Sequence, residues 1–370
     1  MTDASSRPLV KDILGPPALA VISAAGQASS SGFDHAAFLR NAAANLDDLS
    51  VMERVRHIAD ALHAALPAAY DEALAIVREM GPRLTHGFQA VALSEFVARY
   101  GVHDFDRSLP ALADLTRFGS AEFAIRPFLA IDPDRTLAVM LEWSGHADEH
   151  VRRLASEGSR PRLPWAARVG ALKNDPTLAI PILERLNADP SLYVRKSVAN
   201  HLNDIAKDQP AWLVDRLDHW PQDDPRTAWI VRHALRTLIK KGDPRALALL
   251  GVAHGADVEV ESFSITPHAV GLGDAITITA RLASTSPQFQ QLVADYRIHY
   301  VRPNGKTAAK VFKLKTFALA GRGDAVLSIT QPIQDFSTRR HHPGRHEVDL
   351  IINGKTAAQT AFNILPTPSL

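Results

Sequence analysis

The chain has 370 residues, no cysteine, and 41 Lys and Arg against 40 Asp and Glu, a net charge of +1. At roughly 100–200 residues per domain, it has room for two or three domains with real cores. The lack of cysteine excludes disulfides, thiolate nucleophiles and Cys-ligated zinc or iron–sulfur centres and fits a reducing cytosol; the near-zero total speaks against a strongly basic polyanion binder.

The charge is unevenly spread. Residues 1–116 hold 9 basic and 14 acidic groups, residues 117–245 hold 20 and 17, and residues 258–370 hold 12 and 8. An acidic first third masks a mildly basic remainder. The charge-free run Ile13 to Phe33 is broken by Gly15, Pro16, Pro17 and Gly26. Its dense apolar part, Ala18 to Ala25, is far shorter than the roughly 20 residues a bilayer needs. Asp3 and Asp12 spoil a signal-peptide n-region, so an ordinary N-terminal helix is expected.

Up to about Gly255 the apolar residues recur at helical spacing: Leu39, Ala42, Ala43, Leu46; then Val55, Ile58, Ala59, Leu62, Leu66; then Leu74, Val77, Met80; then Val91, Leu93, Phe96, Val97. Pro67, Gly81-Pro82 and Gly101 punctuate them. About a dozen helices are expected. The pair Val/Ile-Arg recurs at Ile125-Arg126, Val151-Arg152, Val194-Arg195 and Val231-Arg232, with intervals of 26, 43 and 37 residues. Repeats of two helices near this length are the signature of a HEAT-like solenoid. On that reading, the arginines make a row of positive charge on its inner surface.

After Gly255 the period becomes two. Strands are expected at Val258–Ile265, Ile276–Leu282, Tyr296–Val301, Val311–Leu314, Ala325–Ile329, Glu347–Ile352 and Thr360–Ile364, with a hairpin turn at Asn353-Gly354. Seven short strands in about 110 residues read as an immunoglobulin-like sandwich. The expected fold is therefore multidomain α and β: a HEAT-like α-helical solenoid over 1–254 and an immunoglobulin-like β-sandwich over 255–370.

Between Ser120 and Asp208 lie polar residues that core packing does not require. Glu122 stands in SAEFAIRPF; Arg152, Arg153, Glu157, Arg160 and Trp165 stand in VRRLASEGSRPRLPW; Arg195, Lys196, Asn200, Asn203, Asp204 and Lys207 stand in VRKSVANHLNDIAKDQP. Lys196, Asn200, Asn203, Asp204 and Lys207 fall at i, i+4, i+7, i+8 and i+11, which spacing alone reads as one polar stripe. Taken singly, each has an ordinary reading. Glu157 could be an ion-paired helix end, Asp204 a surface acid and Trp165 a packing anchor. His146 and His150 lack the glutamate of a zinc-protease motif, and Gly-x-Gly at Gly271 and Gly321 leads into strands rather than helices.

Those three strings, followed by WIVRHALRTLIKKGDPRAL, resemble the AlkC branch of the AlkC/AlkD-type DNA alkylation repair glycosylases, over about Leu9 to Leu250 and most densely over Ser120 to Asp208. The sandwich agrees with the subset of that branch that carries an immunoglobulin-like domain. The resemblance implies a monofunctional DNA N-glycosylase releasing cationic N-alkylated bases, 3-methyladenine and 3-methylcytosine, from duplex DNA in base excision repair. It implies Glu157 and Asp204 as catalytic carboxylates, with Glu122 and Trp165 beside them. Arg126, Arg152, Arg153, Arg160, Arg195, Lys196, Asn200, Asn203 and Lys207 are expected to bind DNA. Arg339, Arg340 and Arg345, with Lys306, are expected to do so from the sandwich. No cofactor and no metal are called for, since a cationic base already leaves well and carboxylates can stabilise the sugar cation. The expected partner is alkylated double-stranded DNA, with no membrane, and the expected setting is a monomer in a bacterial-type cytosol. The competing readings are a catalytically inactive binder of DNA structure and a protein-binding HEAT scaffold.

Overall fold

A computed structural model describes residues 10–253, 255–336 and 339–366. Asp3 and Leu9 lie outside the described residues, as does His254 in the expected junction Gly251–Gly255. Among the described residues there are sixteen α-helices, four short 3-10 helices and eight strands. None of the helices is long and apolar enough to cross a membrane.

The chain divides into two units. One holds the described residues up to Gln209 together with Trp220–Ala234; the other holds Pro210–His219 and the residues from Leu235 onward. The first is the helical solenoid. Its helices begin where side chains satisfy orphan backbone donors. Asp34 accepts from Ala37 N, Asp104 from Arg107 N and Asp132 from Arg135 N, while Ser50 and Glu53 form a capping box. The Asp-Pro steps of the sequence are such starts: Pro133 sits in the first turn, where a missing N–H removes nothing. Successive helices pack through the predicted stripes. Helix Val51–Ala65 lies against Gly87–Tyr100, and Leu192–Asp208 lies against both Glu149–Gly158 and Pro225–Ala234. Val55, Ile58 and Leu62 are fully buried there, as are Leu93, Phe96 and Val198.

The recurring arginines do something other than line a surface. Arg126 is 3% exposed and donates to the carbonyls of Gly158 (3.0 Å), Arg160 (2.6 Å) and Ala167 (3.1 and 2.8 Å). Arg152 takes both carboxylate oxygens of Asp189 (2.7 and 3.2 Å) and the carbonyls of His146 and Ala147. Arg195 caps the carbonyls of Asp189 and Pro190. The expected row of positive charge is thus corrected. Three of the four guanidinium groups are turned onto loop carbonyls or an aspartate, because a planar fork of five donors satisfies irregular backbone that helices leave unpaired. Only Arg232, of the four, is exposed.

In the second unit, all seven expected strands are present, most of them longer than expected. Strands β1 (Val258–Thr266), β3 (Ala275–Ser284) and β6 (Asp324–Pro332) form one antiparallel sheet in the order β1-β3-β6. The other sheet has the order β2-β8-β7-β4-β5, with β2 (Ala269–Val270), β4 (Gln290–Val301), β5 (Thr307–Leu319), β7 (Gly344–Ile352) and β8 (Lys355–Ile364). The strand not expected, β2, has two residues and pairs parallel to β8, too short to alternate. Ile276, Ile278, Tyr296, Ile298, Val348 and Phe362 fill the space between the sheets. The β7–β8 turn has both central residues in the left-handed region (Asn353 φ 47°, Gly354 φ 82°), as a two-residue hairpin requires. Gly354 lies against Gly242 (φ 74°), which follows helix Arg236–Lys240. A Cβ built on Gly354 would stand 2.1 Å from the Gly242 Cα.

Candidate active site: a bridged carboxylate cluster beside an exposed tryptophan

Helix Glu149–Gly158 buries Val151, Leu154 and Ala155 and ends at Gly158, where a Cβ would come within 2.6 Å of Ile125 Cγ2. Glu157, one residue earlier, is 5% exposed. Beyond it, residues 159–169 run without a helix, held from below by Arg126.

Arg160 in that segment joins two carboxylates. Its Nη1 donates to Glu157 Oε1 at 2.5 Å, its Nε to Asp204 Oδ2 at 2.9 Å, and its Nη2 lies 2.8 Å from the same Oδ2. Lys207 Nζ donates to Asp204 Oδ1 at 2.9 Å. Arg153 lies 3.5 Å from Glu157 Oε1 and donates to Glu122, whose carboxylate also accepts from Ser120 Oγ. Burial works against the charge on Arg160, but Glu157 and Asp204 outweigh it and hold the guanidinium above its ordinary range. Burial opposes Arg153 likewise, and Glu122 and Glu157 outweigh it. Three carboxylates and three cations are thereby fixed in one lattice of charge-assisted hydrogen bonds.

Two residues that sequence reasoning missed complete it. Ser197 Oγ donates to Glu157 Oε2 at 2.6 Å, and the His201 ring contacts the Ser156 carbonyl through Nδ1 at 3.0 Å. His201 is fully enclosed, and burial pushes its pKa down to about 4, so it is neutral and Nδ1 carries the donated proton. Ser197, His201 and Asp204 follow one another at i, i+4 and i+7 on helix Leu192–Asp208, the face that meets helix Glu149–Gly158. That spacing was the available signal. The expected stripe mixed two faces. Lys196 and Lys207 are exposed, Asn200 is half-buried, and Asn203 and Asp204 are buried.

Glu122, Arg153, Glu157 and Arg160 line a cleft of about 430 Å³, and Asp204 stands behind Arg160, outside the lining. The walls are aromatic: His86, Phe88, Phe123, Trp165 and Tyr193. Arg153 lies over the Tyr193 ring at 4.9 Å. Trp165 is 61% exposed and has a φ of 63°, a left-handed backbone that an indole residue rarely adopts. The arrangement sets two carboxylates, each paired with a guanidinium, in a cleft whose aromatic walls suit a flat heterocycle.

Of the four sandwich cations, Arg339 is committed to aromatic rings. It is folded over the rings of Tyr300 (4.6 Å), Phe336 (5.1 Å) and Phe312 (5.8 Å), because its guanidinium stacks on aromatic faces more readily than it hydrates. His341 and His346 are buried beside Tyr300. Arg340, Arg345 and Lys306 are exposed.

A family profile described as DNA alkylation repair enzyme matches residues 53–238, and a second, described as the C-terminal Ig-like domain of the uncharacterised protein YhaZ, matches residues 259–366. The chain belongs to the DNA alkylation repair enzyme family, in the form that carries an immunoglobulin-like sandwich after the solenoid. It is 39% identical to the uncharacterized protein YhaZ of Bacillus subtilis (strain 168) over 317 residues, covering 86% of this chain and 88% of that one. Among solved structures it resembles Pseudomonas fluorescens alkylpurine DNA glycosylase AlkC bound to DNA containing an abasic site analog. The identity is 47% and the TM-score 0.92, covering 97% of this chain and all 100% of that one.

Proposed function

We propose that this protein is a DNA glycosylase that hydrolyses the N-glycosidic bond of cationic N-alkylated bases, 3-methyladenine and 3-methylcytosine, in duplex DNA. The observation that carries the proposal is the cleft in which Glu122 and Glu157, both held by Arg153, face exposed Trp165. The likeness to AlkC over almost the whole of both chains supports the same reading.

A base alkylated at N3 is a cation, so the C1′–N bond breaks with its electron pair passing to the base, which leaves neutral. Positive charge then develops on the deoxyribose. Glu157 and Asp204 supply the opposing field, and Glu157, which reaches the cleft, orients the water whose oxygen bonds to C1′ and whose proton a carboxylate takes up. Arg160 keeps the two acids at fixed separation, and Trp165 offers its π-face to the cationic base, an attraction of roughly 0.5–2 kcal/mol. On this reading water is the nucleophile, and the reaction ends at the abasic sugar without strand cleavage. On this reading the exposed Lys196 and Lys207 on the solenoid, and the exposed Arg340, Arg345 and Lys306 on the sandwich, are the cations that meet phosphate.

The test is release of 3-methyladenine from methylated duplex DNA by the purified, folded protein. Release without strand cleavage is the expected result. Salt-sensitive duplex binding without release would make the chain an inactive binder, and neither would leave a protein-binding scaffold.

A further inference from the structure

Helix Leu192–Asp208 reaches the end of helix Glu149–Gly158 with two side chains one turn apart. His201 Nδ1 meets the Ser156 carbonyl at 3.0 Å, and Ser197 Oγ meets Glu157 Oε2 at 2.6 Å. Ser197 also lies 3.0 Å from Ser156 Oγ. Ser156 is fully buried and Ser197 is 2% exposed, so bulk water does not compete for either hydroxyl. A serine hydroxyl has one proton and two lone pairs. The shorter contact, to a carboxylate, takes the Ser197 proton, and in the longer one Ser156 donates and Ser197 accepts. The two hydroxyls therefore form a directed chain, Ser156 to Ser197 to Glu157, in which each bond polarises the next.

The chain ends on the part of Glu157 that rotamer preference does not fix. The last torsion of a glutamate side chain is broad and roughly two-fold, so a carboxylate held by one oxygen can still swivel. The closest approach of both guanidinium groups is to Oε1, Arg160 Nη1 at 2.5 Å and Arg153 Nη2 at 3.5 Å. Ser197 takes the other oxygen. Anchored at both oxygens, the carboxylate has one plane, and Oε2 keeps a second lone pair for a water. We infer that Ser197, oriented by Ser156, is a positioning residue for the proposed hydrolysis: it sets the plane of the Glu157 carboxylate and so the place at which Glu157 holds its water. The inference rests on the proposed glycosylase reading and adds a residue to that same site. A swivelled carboxylate would hold water off the line to C1′, and rate falls steeply when reacting atoms are displaced.

The experiment measures single-turnover release of 3-methyladenine from methylated duplex DNA, beside affinity for duplex DNA carrying an abasic-site analogue. Ser197→Ala removes one buried oxygen, and thermal unfolding of the variant confirms its fold. The expected result is about tenfold slower release with affinity unchanged. In the Glu157→Gln background the same substitution should slow release no further, whereas a general loss of packing would slow both backgrounds alike. Ser156→Ala, which leaves the Ser197 bond but not its orientation, should cost about two- to threefold in the native background and nothing in the Glu157→Gln one. A wild-type rate in Ser197→Ala overturns the inference. So does a loss confined to affinity, or an equal loss of rate in both backgrounds. Should Ser197→Ala fail to fold, Ser156→Ala carries the same decision through its own pair of backgrounds. If wild type releases no 3-methyladenine, the proposed function itself falls; if it does and both variants match it, only the role of Ser197 falls.

Discussion

The solenoid and the sandwich both bury carboxylates, and they treat them differently. In the solenoid, Glu157 and Asp204 are met by guanidinium and ammonium groups aimed at individual oxygens, and those cations are held charged. In the sandwich, Asp349 is met in the same way by Arg297, His299 and Gln359. On β4 next to its bulge, however, Asp295 is 3% exposed, and burial drives its carboxyl up to about 6 against the pull of Lys313 and Lys240. Where burial outweighs the pull of neighbouring cations, a buried acid holds its proton to higher pH. The first arrangement suits a site that must present negative charge on demand, and the second is an acid tolerated by a fold.

The largest effect that would sharpen this contrast is catalytic. Glu157→Gln preserves shape but removes the charge facing the cleft, and single-turnover release of 3-methyladenine should fall by about 10²–10³-fold. A variant as fast as wild type would reduce the cluster to scaffolding.

Next comes Arg126→Met, which leaves the Gly158, Arg160 and Ala167 carbonyls without their buried donor. Urea unfolding should show a loss of about 3–5 kcal/mol. Burial and then Arg160 already push the Arg126 pKa down to about 10, so the loss should not depend on pH below 9.

The smallest effect is a pair of opposite pH responses. Asp295 binds its proton more tightly folded than unfolded, so between about pH 4 and 6 its contribution to stability falls as pH rises. Asp295→Asn should therefore stabilise the protein at pH 7 by up to about 3 kcal/mol and make no difference below pH 4. His201 binds its proton less tightly folded, so its contribution is intact above about 6.5 and is lost as pH falls toward 4. Replacing His201 by Gln should flatten that acid limb in a denaturant series, whereas an unchanged limb would deny that the buried ring is neutral.

Much of the architecture was legible because periodicity reports which face of an element is buried. The alternation of β3 and the stripes of helix Val51–Ala65 appear in the structure as read. The motif strings also marked Glu122, Glu157 and Trp165, which meet at one cleft. What spacing could not report is where a long side chain turns. Arg126, Arg152 and Arg195 share the Val/Ile-Arg pair in the sequence, yet their guanidinium groups fold onto loop carbonyls and an aspartate that are not yet placed when only the sequence is known. For the same reason Asp204 read as a surface acid, although it is 1% exposed: its cover comes from Arg160, 44 residues away in the chain. Ser197 and His201 escaped because their spacing with Asp204 on one helix face gains meaning only when the facing helix supplies Glu157 and Ser156.

The meeting of Gly242 and Gly354 has a consequence for inheritance. Each is left-handed, and each leaves no room for a side chain on the other. A chimera that borrowed only the strands of a relative would set a foreign turn against Gly242, and any turn residue bulkier than glycine would strike main chain. The exchangeable module therefore begins in the helices around Leu235, and positions 242 and 354 vary, if at all, as a single two-residue locus.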